Sequence, residues 1–235
     1  MTKLSPAAKA FISLTVLAGI AVLVYASLHL RPEVPLKFFA FLALALATSR
    51  LRVKIPGMNG IMSVNLPFFL IAAAKLSIGE ALIIACLGSL AQSLGRSGHN
   101  KPVQIVFNAA ALTNAVGLAA LTFAGASQQH FTLPVAIVGA GGAYLLGNTV
   151  QITLVLWLAE GKTPAQTWMR MTELTVPYYL LSASIAATAC VSAENVGWTI
   201  ALLVFAAMYV TYRSYRLYFA SFAAGSGIAK STVAG

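Results

Sequence analysis

Polar side chains within long apolar runs are the groups in this sequence whose types and spacing could do chemistry. Tyr144, Asn148 and Gln151 follow one another at positions i, i+4 and i+7, which places them on one face of a helix. In a hydrocarbon environment such a side chain must find a hydrogen-bonding partner, so this face points to other helices or to a cavity. We predict that it contacts a ligand, with hydrogen bonding between helices as the alternative.

Four further polar residues in or beside neighbouring apolar runs could line the same cavity: Gln92, Gln104, Asn108 and Glu173. The amides would donate and accept hydrogen bonds. Glu173 is a candidate acceptor for a proton or a cation, or else a simple carboxylate at the membrane interface. Together with the first three residues they form the predicted ligand-binding set.

The sequence contains no arrangement typical of a catalytic or metal site. It has no aspartate and only five glutamates, and its three histidines are isolated. Cys86 and Cys190 lie inside apolar runs without a CxxC partner, so they indicate buried packing. No HExxH, GxSxG, P-loop or GxGxxG pattern is present. We therefore expect a protein that is not an enzyme and that has no metal and no cofactor.

The elements that must position these residues are membrane helices. The chain is 59% hydrophobic and only 9% charged, whereas a soluble domain averages about 25% charged residues. The pattern predicts an all-α polytopic transmembrane bundle, residues 1–219, followed by a disordered cytoplasmic tail, residues 220–235. Eight apolar segments are predicted, of which the second to fourth are shorter than the roughly 20 residues that a span needs: 8–30, 34–48, 64–76, 78–94, 103–124, 134–159, 174–193 and 196–219.

The positive charges orient this topology. Twelve of the fifteen Lys and Arg residues fall on one side of it, and cytoplasmic loops are the ones that collect Lys and Arg. Both termini are therefore predicted to be cytoplasmic, in a multi-pass protein of the inner membrane. Anionic lipid headgroups account for the net charge of +10, so we expect no nucleic-acid partner. The twelve are Lys3, Lys9, Arg50, Arg52, Lys54, Arg96, Lys101, Lys162, Arg170, Arg213, Arg216 and Lys230.

Residues 64–94 leave two topologies open. They form either two short spans, giving eight in all, or a re-entrant hairpin beside six spans. In the first arrangement Lys75 and Glu80 lie at the outer interface, where a lysine can reach water. In the second they lie near the midplane and would have to form a buried ion pair. Because a buried charge is costly, two spans are favoured.

The last segment carries tyrosines and arginines in its second half, which is typical of an anchor at the membrane interface. The predicted anchor consists of Tyr212, Arg213, Tyr215, Arg216 and Tyr218.

Several short motifs resemble a known group of proteins. Residues 64–69, leading through residues 79–81 to Gln92, are similar to membrane input regions ahead of bacterial diguanylate cyclase and HD-type phosphodiesterase domains. Residues 177–180, 197–198 and 212–218 strengthen that resemblance. The hairpin pattern is also similar to substrate-binding components of energy-coupling-factor vitamin transporters. In both families the membrane unit would recognise something small or sense the bilayer.

We therefore predict a membrane sensor module that binds a small or lipid-like ligand among segments four to seven. It would signal to a cytoplasmic or membrane protein partner through its last helix. The alternatives are a vitamin-type transporter or its substrate-binding component, and a structural subunit of a larger membrane complex.

Overall fold

The computed structural model describes residues 4–28, 30, 35–54, 61–94, 101–197 and 199–225. Within these ranges the chain forms eight helices and one two-stranded antiparallel hairpin. The elements are α1 (Pro6–Leu28), α2 (Pro35–Thr48), β1 (Arg52–Lys54), β2 (Ile61–Ser63), α3 (Leu66–Lys75), α4 (Ile78–Leu94), α5 (Pro102–Gln128), α6 (Leu133–Glu160), α7 (Pro164–Val196) and α8 (Ile200–Gly225).

Prolines lie at the starts of several long helices and glycines follow the ends of two of them. α5 and α7 begin on Pro102 and Pro164, positions where the missing N–H costs nothing because it would have no partner inside the helix. α6 is followed by Gly161 and α7 by Gly197, both with positive φ, a conformation that glycine adopts without strain. The predicted helical class therefore follows from local sequence as well as from apolar length.

Four helices in the described part of the chain are long and apolar enough to cross a bilayer: α1, α5, α6 and Pro164–Ala193 of α7. α2, α3 and α4 are shorter, with 14, 10 and 17 residues. α8 has 26 residues but is not one of the four, because its second half carries tyrosines and two arginines. The bundle of apolar helices is confirmed, and the number of spans stays a prediction.

Two boundaries differ most from the sequence-based prediction. α7 begins at Pro164 rather than at Leu174, so Arg170 lies on a helix and not in a loop. α8 continues to Gly225, six residues into the segment predicted to be disordered. Residues 226–235, the rest of that segment, lie outside the described residues.

The shortest helix, α3, lies at the centre of the bundle. Every residue from Leu66 to Ala73 is buried, and α3 contacts α2, α4, α5, α6 and α7. Ten residues of helix measure about 15 Å, roughly half of the 30 Å hydrocarbon core of a membrane. The first turn of α3 therefore lies deep inside the protein.

The turn between α3 and α4 lies beside the C-terminal end of α1, since a Cβ atom on Gly79 would come within 2.7 Å of the Ala26 carbonyl oxygen. Ser77 and Glu80 form a capping box there. The Ser77 N–H and hydroxyl donate to the Glu80 carboxylate at 2.8 and 2.7 Å, and the Ser77 hydroxyl oxygen accepts from the Glu80 N–H at 3.3 Å. Glu80 is buried because it caps a helix, whereas Lys75 is exposed. A buried Lys75–Glu80 ion pair stays a prediction.

The hairpin of β1 and β2, with Arg52 opposite Ser63, was not predicted. Its strands have only three residues each, too short for a visible alternation. The Arg52 guanidinium donates to the carbonyl oxygens of Ser49 at 3.2 Å and Ala91 at 3.1 Å, which ties the hairpin to the ends of α2 and α4. The hairpin thus lies at the opposite end of α4 from the Ser77–Glu80 turn.

We expect Gly79→Ala to destabilise the protein by about 1–3 kcal/mol, the usual cost of overpacking a close contact. The added methyl group would push the end of α1 away from α4. Gly142→Ala is the matched control, because a Cβ atom there meets nothing within 4 Å. The measurement is the free energy of unfolding in mixed micelles titrated with dodecyl sulfate. Equal stability of the two variants would contradict the close packing of α1 on α4.

Candidate functional site

Tyr144 and Asn148, two members of the predicted polar face, meet the same residue of α7. The Asn148 side-chain amide donates to the Tyr179 hydroxyl at 3.1 Å. The Tyr144 ring packs against the Tyr179 ring with 5.7 Å between centroids, and Tyr144 is only 5% exposed. A polar cluster of Tyr144, Asn148 and Tyr179 therefore joins α6 to α7 inside the bundle.

Gln151, the third member of the predicted face, bonds towards α5 instead. Its side-chain N–H groups donate to the carbonyl oxygens of Ala111 at 3.1 Å and Gly147 at 2.8 Å, and its carbonyl oxygen accepts from the Asn114 amide at 3.4 Å. Asn114 also donates to the Thr15 carbonyl oxygen of α1 at 3.1 Å. These bonds hold three helices together. Gln151 thus fits the alternative to a ligand contact, which is hydrogen bonding between helices.

The structure distributes the other predicted ligand-binding residues over different surfaces. Gln104 is exposed in the first turn of α5, where its side-chain oxygen accepts from the Lys101 N–H at 3.2 Å. The Asn108 side chain is exposed as well, while its backbone carbonyl oxygen accepts from the Ser89 hydroxyl. Gln92 is half-buried on the last turns of α4. Glu173 is on the exposed face of α7, turned away from the polar cluster.

Tyr178 is a functional candidate outside the predicted ligand-binding set. Its hydroxyl oxygen accepts a hydrogen bond from the Leu66 N–H at 3.2 Å. Leu66 opens α3, and the preceding residue, Asn65, makes no side-chain cap bond to that helix. A tyrosine of α7 thus satisfies a backbone donor in the first turn of the buried half-length helix. The signal in the sequence was the adjacent pair of tyrosines after Pro177.

Aromatic rings continue from the polar cluster to α8. Tyr179 packs against Tyr178 at 5.7 Å, Tyr178 against Tyr215 at 5.9 Å, and Tyr215 against Phe219 at 5.6 Å between centroids. We call the series Tyr144, Tyr179, Tyr178, Tyr215 and Phe219 the aromatic chain. It connects α6 to α8 through two consecutive residues of α7.

The predicted interfacial anchor divides between two environments. Tyr212 and Tyr215 are half-buried, and Tyr215 belongs to the aromatic chain. Arg213, Arg216 and Tyr218 are exposed, with the Arg216 guanidinium 3.5 Å from the Tyr212 hydroxyl. The exposed members match the composition of an anchor. Tyr215 has a packing role that spacing alone did not reveal.

Replacing Tyr178 by Phe would keep the ring contacts and remove the acceptor for the Leu66 N–H. Leaving a buried N–H without a partner costs about 1–3 kcal/mol, so we expect a loss of that size in the free energy of unfolding. Tyr209→Phe is the control, since Tyr209 is half exposed on α8. If both variants unfold at the same dodecyl sulfate fraction, the hydroxyl of Tyr178 does not hold α3.

Comparison with known proteins gives one match. The family model MASE9 matches residues 21–219, which covers most of the helical bundle. No curated protein and no solved structure matches the chain. MASE domains are membrane-associated sensory domains, so the resemblance to membrane input regions is confirmed at that level, and the transporter resemblance gains no support. The chain belongs to the MASE9 family.

Proposed function

We propose that this chain is a non-enzymatic sensor that crosses the bacterial inner membrane several times and signals to a cytoplasmic partner. It detects a small or lipid-like ligand at the polar cluster of Tyr144, Asn148 and Tyr179. The observation that carries the proposal is the aromatic chain, which joins that cluster to α8 without a break. The partner class that the sequence resemblance suggests is a diguanylate cyclase or an HD-type phosphodiesterase.

The topology that we propose has eight crossings with both termini in the cytoplasm. Its support is the position of the Ser77–Glu80 turn beside the end of α1, opposite the cytoplasmic start of that helix. The start of α1 lies beside the end of α6, because the Ser5 hydroxyl donates to the Leu158 carbonyl oxygen at 2.8 Å. In this arrangement the hairpin of β1 and β2 closes the cytoplasmic side of the short helices α2 and α3.

The proposed mechanism starts with competition for one hydrogen bond. A ligand with a donor or acceptor would take over either Asn148 or the Tyr179 hydroxyl, which now bind each other. A shift of Tyr179 displaces Tyr178, the next residue, whose hydroxyl holds α3 and whose ring touches Tyr215. The ligand acts by favouring one of two packings of the same helices.

α8 is suited to transmit that change because it is loosely attached. It contacts α7, β1 and α2, and most of its described side chains are exposed. Val204, Met208, Thr211 and Phe219 are its buried residues. An element with so few buried contacts can move at a lower free-energy cost than the core helices.

Asn148 and Gln151 can now be tested separately. We expect Asn148→Leu to abolish retention of a specific small molecule or lipid through mild detergent extraction. Gln151→Leu should instead lower stability by about 1 kcal/mol, the typical value of one interhelical hydrogen bond, and leave retention intact. The measurements are mass spectrometry of the molecules released from the purified protein and its dodecyl sulfate unfolding curve.

Asn108→Leu serves as the control for that experiment, because the Asn108 side chain is exposed and outside the polar cluster. Identical sets of retained molecules in the Asn148→Leu and Asn108→Leu proteins would show that the cluster is not the ligand site.

Transmission through the aromatic chain can be tested without knowing the ligand. We expect Asn148→Leu to speed amide hydrogen exchange in α8 about tenfold, equivalent to about 1.4 kcal/mol of lost protection. The effect should disappear in a Tyr215→Leu background, where the chain is cut, and persist in a Tyr209→Leu background. A response that survives Tyr215→Leu would rule out this route.

A further inference from the structure

The exposed side of α7 carries a groove at the level of Pro177. It is an open depression of about 410 Å³, lined by six residues of α7: Trp168, Met169, Thr172, Glu173, Val176 and Pro177. Small-molecule sites in proteins typically enclose about 300–1,000 Å³. The groove therefore has room for a small headgroup with a short alkyl chain. Its lining consists of a carboxylate, an indole ring and apolar side chains.

Glu173 is the chemically distinctive group of this groove. Three glutamate side chains lie in the described part of the chain, and two of them are satisfied: Glu80 by Ser77, and Glu160 by an ion pair of 2.7 Å with Lys162. Glu173 forms neither an ion pair nor a side-chain hydrogen bond within that part, although Arg170 is exposed one turn away on the same helix. An accessible carboxylate in a largely apolar groove favours a cationic occupant.

Pro177 adds a second acceptor to the same place. Proline has no N–H, so residue 177 cannot donate to the carbonyl oxygen of Glu173 four residues earlier. Trp168 adds a ring face, and aromatic faces attract quaternary and protonated amines. A carboxylate, a carbonyl oxygen deprived of its usual donor and an indole ring are all groups that bind an ammonium ion.

We propose that this groove binds an amphiphilic ammonium ion. Its headgroup lies between the Glu173 carboxylate and the Trp168 ring, and its apolar chain follows Met169, Val176 and Pro177. The site is separate from the polar cluster, because none of Tyr144, Asn148 and Tyr179 lines the groove, and it does not depend on the proposed ligand there. The same chemistry is offered by a free alkylated amine and by the headgroup of a choline lipid.

The groove also adjoins the residues that transmit the proposed signal. Pro177 forms part of its wall, and the next two residues are Tyr178 and Tyr179. An occupant that pushes on the helix at Pro177 therefore acts on the residue that immediately precedes both tyrosines.

The experiment uses the full chain with Trp157→Phe and Trp198→Phe, so that Trp168 is the sole tryptophan, in lipid nanodiscs of phosphatidylglycerol. Decyltrimethylammonium below its micellar concentration should change the Trp168 fluorescence saturably. Glu173→Gln should weaken this binding about tenfold, because the charged partner of the ammonium ion is lost. Glu160→Gln is the matched control, which removes the same charge from the chain and should leave the affinity unchanged.

Decanol and decyl sulfate test whether the ammonium headgroup or the alkyl chain accounts for binding. Neither should produce a saturable change in the Trp168 fluorescence. Equal affinities of the Glu173→Gln and Glu160→Gln proteins, or saturable binding of decanol, would overturn the proposal and make the groove an ordinary lipid-facing surface. Nanodiscs of phosphatidylcholine distinguish the two sources of the ammonium group. Loss of the anionic surface weakens probe binding to the native and Glu173→Gln proteins alike. A smaller difference in affinity between these two proteins identifies a lipid headgroup as a competing occupant, and an unchanged difference identifies a free amine.

Discussion

A half-length helix in the middle of an apolar bundle must have its terminal N–H groups satisfied from within the protein, because no water is available in hydrocarbon. α3 meets this constraint at its first residue through the hydroxyl of Tyr178 on α7. The Phe68 N–H bonds to the Asn65 carbonyl oxygen at 3.1 Å, and Pro67 has no N–H to satisfy. Because α3 lies so deep, its first turn depends on α7 for a hydrogen-bonding partner.

That dependence gives residues 177–179 more than one role. Pro177 interrupts the hydrogen-bond ladder of α7, Tyr178 holds α3 and packs on α8, and Tyr179 receives the amide of Asn148 from α6. Because consecutive residues of a helix point about 100° apart, Tyr178 and Tyr179 face different neighbours yet move together. The residues of α7 that contact α6 and α8 are therefore joined by a single peptide unit, which is a short path for coupling between these two helices.

The sequence predicted the helices well and the partners of the side chains poorly. Apolar length and proline positions give α4 with its exact bounds and α1, α2 and α3 within two residues. The pattern of polar residues correctly marked Tyr144 and Asn148 as one face, but it could not show that Gln151 turns to α5. Glu80 is predicted from the sequence to lie at the outer interface or in a buried ion pair, although a serine three residues earlier, Ser77, is the signature of a capping box. Spacing along one helix carries no information about which neighbouring helix a side chain reaches.

The same limit applies to Glu173, which is predicted to share one cavity with Tyr144 and Asn148. Glu173 comes five and six residues before Tyr178 and Tyr179, yet burial changes so strongly along α7 that Glu173 is exposed while both tyrosines are enclosed. α7 therefore presents a hydrogen-bonding surface to the bundle and an exposed surface that carries Glu173 in the groove beside Trp168. Pro177 lies between these surfaces, at the point where the helix lacks a backbone hydrogen bond and resists bending least. Ligands at the two proposed sites would therefore act on the same three residues of α7, 177–179.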